Sequence, residues 1–173
     1  LAFDMGGPVN KVAYAFMLIC VAQGVYHVVA IAAVSICIPP LGLGLATLIG
    51  RRNFSAEEQE AGKAALVMGC VGVTEGAIPF AASDPLRVIP SIMLGSVSGA
   101  VVAALTSAEC YAGWGGLIVL PVVSGKFGYL LAVVTGMVVT ALCVNLLKHL
   151  SRHKVSAAPA AEEDLDLDFE IHP

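Results

Sequence analysis

The chain has 173 residues, of which 58% are hydrophobic and 13% charged. A water-soluble domain carries about 25% charged residues, so this composition excludes a soluble globular enzyme or a nucleic-acid binder and implies a polytopic membrane protein. The net charge of −4 resides largely in the C-terminal tail and says little about partners.

The chain starts at Leu1, inside a motif, and is expected to be the C-terminal portion of a longer polypeptide. Leu1 to Asn10 holds Asp4 and Gly6-Gly7-Pro8 and lacks the basic-then-apolar order of a secretory signal. Val12 to Val34 is apolar and long enough for one span, since a bilayer core of about 30 Å needs roughly 20 helical residues. Pro39-Pro40 is expected to stop that helix. Leu41 to Gly50 is Gly-rich and short, a half-helix or an extension.

Arg51 to Lys63 is a polar loop, and its charges predict a solvated face. Within it Ser55-Ala56-Glu57-Glu58 has the S-x-x-E form of a capping box, which opens a helix. Ala64 to Thr106 follows, interrupted in its middle, with a full span expected over Val88 to Thr106. Ser107 to Gly116 is a loop, and Leu117 to Ser124 is apolar but short, with Pro121 inside it. Gly128 to Leu147 is an uninterrupted span, followed directly by Lys148, His149, Arg152, His153 and Lys154. Residues 155–173 turn Ala/Pro-rich and then acidic, a composition that builds no core and predicts a disordered tail.

Basic residues flank spans on the cytoplasmic side, so the loop 51–63 and the tail are both expected there. The chain between them must then cross an even number of times. The simplest account has Val88 to Thr106 and Gly128 to Leu147 crossing, Ala64 to Ala82 forming a re-entrant hairpin from the cytoplasmic side, and Leu117 to Ser124 dipping in from outside. A four-crossing version is the alternative. Tyr111, Trp114, Phe127 and Tyr129 would then fall in the outer aromatic belt. The fold class is all-α and polytopic, with transmembrane helices, re-entrant hairpins and Pro/Gly-broken helices. Residues 1–154 form the membrane domain. Lipid bilayer is the obligatory surroundings.

The chemistry concentrates in the interruption, Val73-Thr74-Glu75-Gly76-Ala77-Ile78-Pro79-Phe80-Ala81-Ala82-Ser83-Asp84-Pro85-Leu86-Arg87-Val88-Ile89-Pro90. An ionised carboxylate at bilayer depth costs several kcal/mol or more unless paired or wet. Broken backbone survives there only where protein buries it or a cavity is lined by it. The segment therefore reads as the inside of a solute pathway. Glu75 can accept two hydroxyl bonds and act as a general base. Asn10, Lys11, Gln23 and His27 add polar groups from the first segment, with Lys11 equally suited to anchoring at the interface. Asp84, before Pro85, fits a turn or a helix start, and Arg87 is expected to neutralise a carboxylate, as in a pair with Glu75, or to hold backbone carbonyls. Cys20, Cys37, Cys70, Cys110 and Cys143 have no metal-ligand or redox spacing, and neither metal nor cofactor is implied.

These residues carry a resemblance. Gly72 to Phe80 with Asp84 to Pro90 looks like the signature of fructose-family permeases of the bacterial phosphotransferase system, the membrane C components of enzyme II. Asp4-Met5-Gly6-Gly7-Pro8-Val9-Asn10-Lys11-Val12-Ala13-Tyr14 resembles a second signature. Pro39-Pro40-Leu41-Gly42 with Ala46-Thr47-Leu48 resembles a third, in family order. The resemblance implies import of fructose or a related sugar across the inner membrane, coupled to phosphorylation by a phosphocysteine on a B domain. It implies a homodimer, and gives Glu75 the role of sugar binding and proton acceptance. None of the five cysteines here has the setting of that phosphocysteine, so a B domain is required, upstream in the same polypeptide or on a separate chain. Many members carry Pro-His-Gly-Gly where this chain has Ala112-Gly113-Trp114-Gly115-Gly116. A proton-coupled secondary transporter and a non-transporting sensor are the competing readings.

Overall fold

The computed structural model describes residues 1–156, with side chains through residue 150. The acidic tail beyond residue 156 lies outside the described residues. Six helices follow in order: α1 (Pro8–Ala22), α2 (Tyr26–Ile49), α3 (Ala56–Val71), α4 (Ile78–Ser83), α5 (Pro85–Leu105) and α6 (Lys126–Ser156). Three described helices are long and apolar enough to cross a membrane: α2, α5 and the Lys126–Leu150 part of α6. The all-α polytopic expectation holds, with a two-residue ribbon, β1 (Glu109–Cys110) and β2 (Val123–Ser124), added to it.

Two expectations for the first segment are corrected. Val12 to Val34 is not one helix: the chain breaks at Gln23-Gly24-Val25, where Gly24 takes φ +75°. Pro39-Pro40 does not stop α2, which runs on to Ile49 with both prolines buried. Packing supplies the reason. Helix α2 is the central element, contacted along its length by α3, α5 and α6, and neighbouring helices hold a proline-bearing membrane helix together.

Small residues bring the three long helices close. Gly95 of α5 sits against Gly136 and Thr140 of α6, and Gly99 against Ala132 of α6 and Ile38 of α2. A side chain at either glycine would collide with backbone, so the Gly95-x-x-x-Gly99 spacing serves packing within this chain. Buried Val29, Ala33, Val34, Cys37 and Ile38 of α2 form the core with Ala103, Tyr129, Ala132 and Val133.

The ends of the bundle can be told apart by contacts. At one end Asn53 donates to Asn145 (3.2 Å) and Lys148 pairs with Glu58 (2.7 Å), joining both basic segments. At the other, His27 contacts the Ala108 carbonyl (3.3 Å) and the Tyr26 and Tyr111 rings meet at 4.5 Å. Between the two ends lie a pair of hairpins.

The first hairpin is α3, a 3-10 turn over Thr74–Ala77, and α4. It starts and finishes at the Lys148 end, because Glu58 of α3 also accepts from the Ser83 hydroxyl at the end of α4 (2.9 Å). The capping box at its entry is present as read: Glu58 N–H donates to Ser55 Oγ and Ser55 N–H to the Glu58 carboxylate. Gly72 ends α3 with φ +90°, a left-handed cap that glycine adopts without strain. The second hairpin, residues 107–125, enters from the opposite end. The β1–β2 ribbon closes its base, pairing Glu109 with Ser124 and Cys110 with Val123.

The hairpin tips meet. Gly116 packs directly on the Gly72 backbone, and Gly115 lies on Ala33 and Ile36 of α2. Ala33 is seven residues into α2, so the junction lies about 10 Å from that helix's start. Tyr129 donates to the Gly116 carbonyl (2.9 Å) and is fully buried. It is therefore a core residue rather than the interface aromatic expected of it.

Candidate functional site

Glu75 stands in the Thr74–Ala77 turn at the tip of the first hairpin. The turn follows from its sequence: Gly72 ends α3, Gly76 fits closely over Ala65 and Met68, and Pro79 can only begin α4. Thr74, Gly76 and Ala77 are buried while Glu75 is exposed, so the turn pushes this one side chain outward. Among the described residues Glu75 has no hydrogen bond or ion pair. Its carboxylate lies beside Gly6, where a Cβ would come within 2.7 Å of Oε1. Gly6 has φ +104° and is the only kind of residue that fits there.

Gly6 is held in place by the start of α1. Asp4 accepts from the Val9 and Asn10 amides (2.7 and 3.3 Å), the otherwise unpaired donors of the first turn. Pro8 occupies the first helical position, which has no use for an N–H.

Trp114 sits at the junction of the tips. Its indole N–H donates to the Val71 carbonyl (2.7 Å) at the end of α3, and the ring lies beside Gly72. Tyr14 of α1 donates to the Gly113 carbonyl (2.6 Å) and meets the Trp114 ring edge-on, centroids 6.0 Å apart. Trp114 thus reaches inward to the first hairpin, where the sequence reading assigned it to the outer belt.

The residues singled out from sequence divide into groups. Glu75 is at the junction. Lys11 is exposed on α1, three residues from Tyr14 and so on the same face. Asn10 is buried and donates to the Leu1 carbonyl (2.9 Å), which directs it into the fold rather than toward Glu75. His27 contacts Ala108 and lies six residues before Ala33, about 9 Å along α2 from the junction. Gln23 ends α1 and is exposed. Asp84 and Arg87 pair with each other (2.6 Å) at the start of α5.

Sequence reasoning missed three members: Gly6, Tyr14 and the inward position of Trp114. Gly6 and Tyr14 lie in a motif already noted, and Trp114 is the single tryptophan of the chain, set between glycines. The pairing of Glu58 was missed as well. Its side chain is 12% exposed and takes Lys148, Ser83 and Ser55 as donors, so Glu58 departs from the solvated face that Arg51, Arg52, Glu57, Glu60 and Lys63 do present. Burial alone would push the Glu58 carboxyl up; those three donors outweigh it and hold it below the usual carboxylate range.

No family model matches the chain, and no solved structure does. Curated relatives do. The chain is 80% identical over 172 residues, 99% of its length, to "Fructose-like permease IIC component 2" of Escherichia coli K12, covering 48% of that protein. It is 48% identical over 151 residues to "PTS system fructose-specific EIIB'BC component" of Xanthomonas campestris, covering 86% of this chain and 26% of that one. To "PTS system fructose-specific EIIC component" of Haloferax volcanii it is 40% identical over 149 residues, 86% of this chain and 40% of the relative. The chain spans about half the length of the first of these and less of the others. Over nearly its whole length, the chain is thus similar to fructose-type IIC permease components of the phosphotransferase system.

Proposed function

We propose that the chain forms part of a phosphotransferase-system permease that takes fructose or a related sugar and delivers it for phosphorylation, with Glu75 binding the sugar and accepting its proton. One observation carries this reading. Glu75 is a carboxylate without a protein partner, held outward on a rigid turn where two hairpins from opposite ends of the bundle touch. A carboxylate at such depth is expensive without a partner, and a sugar supplies the hydroxyl donors it lacks.

The chemistry is consistent with that geometry. A sugar hydroxyl gives its proton to Glu75 as its oxygen forms a bond to phosphorus, and the P–S bond of a phosphocysteine breaks to leave a thiolate. Proton removal by a positioned base contributes about 10²- to 10⁴-fold; the phosphoryl group needs mainly positioning and charge stabilisation. The relatives named as EIIB'BC components support a B domain as donor. In this reading the Lys148 end of the bundle faces the cytoplasm, where basic flanks belong, the membrane is the inner membrane, and the permease is a homodimer.

The test is uptake of labelled fructose by membranes carrying the full-length protein, with and without phosphoenolpyruvate and the soluble phosphate carriers. Fructose phosphate formed only with phosphoenolpyruvate is the expected result. Free fructose accumulating without it would overturn the reading in favour of a proton-coupled transporter.

A further inference from the structure

Resting on the reading of Glu75 just given, we propose that the indole face of Trp114 is the platform on which the C–H face of the sugar ring lies, which makes Trp114 a specificity-determining residue of this site. Its surroundings immobilise the ring without covering it. The N–H edge is committed to the Val71 carbonyl (2.7 Å). A second edge is set by Tyr14, at 6.0 Å and 85° to the ring, itself tied by its hydroxyl to Gly113 (2.6 Å). The backbone on either side is pinned, Gly113 against Leu18 and Gly115 against Ala33 and Ile36. Even so, Trp114 is 44% exposed.

A large aromatic whose polar atom is satisfied and whose orientation is fixed presents a rigid apolar surface. Its π-face is electron-rich and attracts the polarised C–H groups of a sugar, while hydroxyls on the ring's rim need acceptors. Glu75 is such an acceptor, four residues beyond the Val71 carbonyl that Trp114 holds. The carboxylate borders Gly6 at the foot of α1, and Trp114 borders Tyr14 on that helix. Pro8 and Tyr14 are six residues apart, about 9 Å along the axis, a separation that one hexose with its hydroxyls bridges. Lys11 lies between them on α1, exposed and able to donate to a sugar oxygen. An aromatic surface with a few convergent polar groups is the usual construction of a small-ligand site.

The competing role for Trp114 is structural: its N–H caps the end of α3, whose last carbonyls lack helical partners. Two substitutions in the full-length protein separate these roles. Trp114→Phe keeps a ring face and loses the donor; Trp114→Gln keeps a donor and loses the face. A platform predicts that Trp114→Phe stays within about threefold of the parent KM, while Trp114→Gln raises KM at least tenfold with kcat within about threefold. The reverse ranking, or a parental KM in both, would overturn the proposal. A measurement on the unsubstituted protein backs this up. Titration with fructose should change tryptophan emission saturably, and the change should vanish in Trp114→Phe; emission that ignores the sugar would also overturn it. Failure of the Glu75 reading looks different, since it appears as no phosphorylation of any sugar by the parent protein. An inactive Glu75→Gln beside a Trp114→Gln of parental KM sinks the platform alone.

Discussion

The first hairpin carries a carboxylate at its base and another at its tip, and the fold treats them oppositely. Glu58, at the base, is packed under Lys148, with that ammonium also 4.1 Å from the centre of the Phe54 ring, and accepts from Ser55 and Ser83 besides. Glu75, at the tip, has its acceptors open. Both stand within one turn of a helix end, Glu58 in a segment that reads as a polar loop and Glu75 in broken, apolar backbone. The difference is where their donors come from. Glu58 finds them in α4 and α6, tying both legs of the hairpin to the last long helix. Glu75 is held by shape alone, its carboxylate beside Gly6 and its turn fitted over Ala65 and Met68 through Gly76. That contrast is what the proposed role of Glu75 in binding a sugar requires.

Substitutions at the base and at the tip should separate the two carboxylates. The largest effect is expected for Glu75→Gln, which should lower sugar phosphorylation by about 10²- to 10⁴-fold while insertion and thermal stability stay as in the parent. A stable, normally active variant would remove Glu75 from the chemistry. At the base the signature reverses. Lys148→Met leaves the Glu58 charge largely buried without its counter-ion, a loss of up to about 3–5 kcal/mol that the Ser55 and Ser83 donors reduce, read as a lower unfolding temperature in detergent. Combining it with Glu58→Gln should restore most of that loss, since no charge then remains unpaired.

Acid distinguishes the ends too. Because the folded-state pKa of Glu58 is depressed, its pair contributes fully above the ordinary carboxylate value of about 4.3. That contribution is lost as pH falls through the lowered folded value. Stability measured downward from pH 7 should therefore drop in the parent and less so in Glu58→Gln; parallel curves would contradict the assignment. A smaller effect is expected for Gly6→Ala, where a Cβ meets Glu75 Oε1 and a left-handed backbone costs about 1–2 kcal/mol. Here the fall should be in kcat/KM, about tenfold for 1.4 kcal/mol. The smallest is Ser55→Ala, a lost cap worth about 1 kcal/mol, in stability alone.

Much of this was legible in the residues because it is local. The capping box at Ser55–Glu58, Pro85 opening α5, and the long apolar runs of α5 and α6 all follow from neighbours in sequence. The course of α2 was not legible, because Pro39-Pro40 favours a stop that surrounding helices override. The Glu58–Lys148 pair was hidden for the same reason: its partners are 90 residues apart, and only the packing of both α3 and α6 on α2 brings them together. At the site, Glu75 stood out as a charge in apolar, broken backbone. Trp114 did not, since an aromatic near a span end reads as a belt residue until the second hairpin is seen to fold inward.

The meeting of Gly72 and Gly116 bears on how thick the protein is between its two ends. A membrane helix separates the two faces of a bilayer by about 30 Å of hydrocarbon. Where two hairpins come in from opposite ends and touch through glycine backbone, the separation shrinks to the width of that contact. The closest approach at this point is between two residues without side chains, so a side chain at either position would hold the two tips apart.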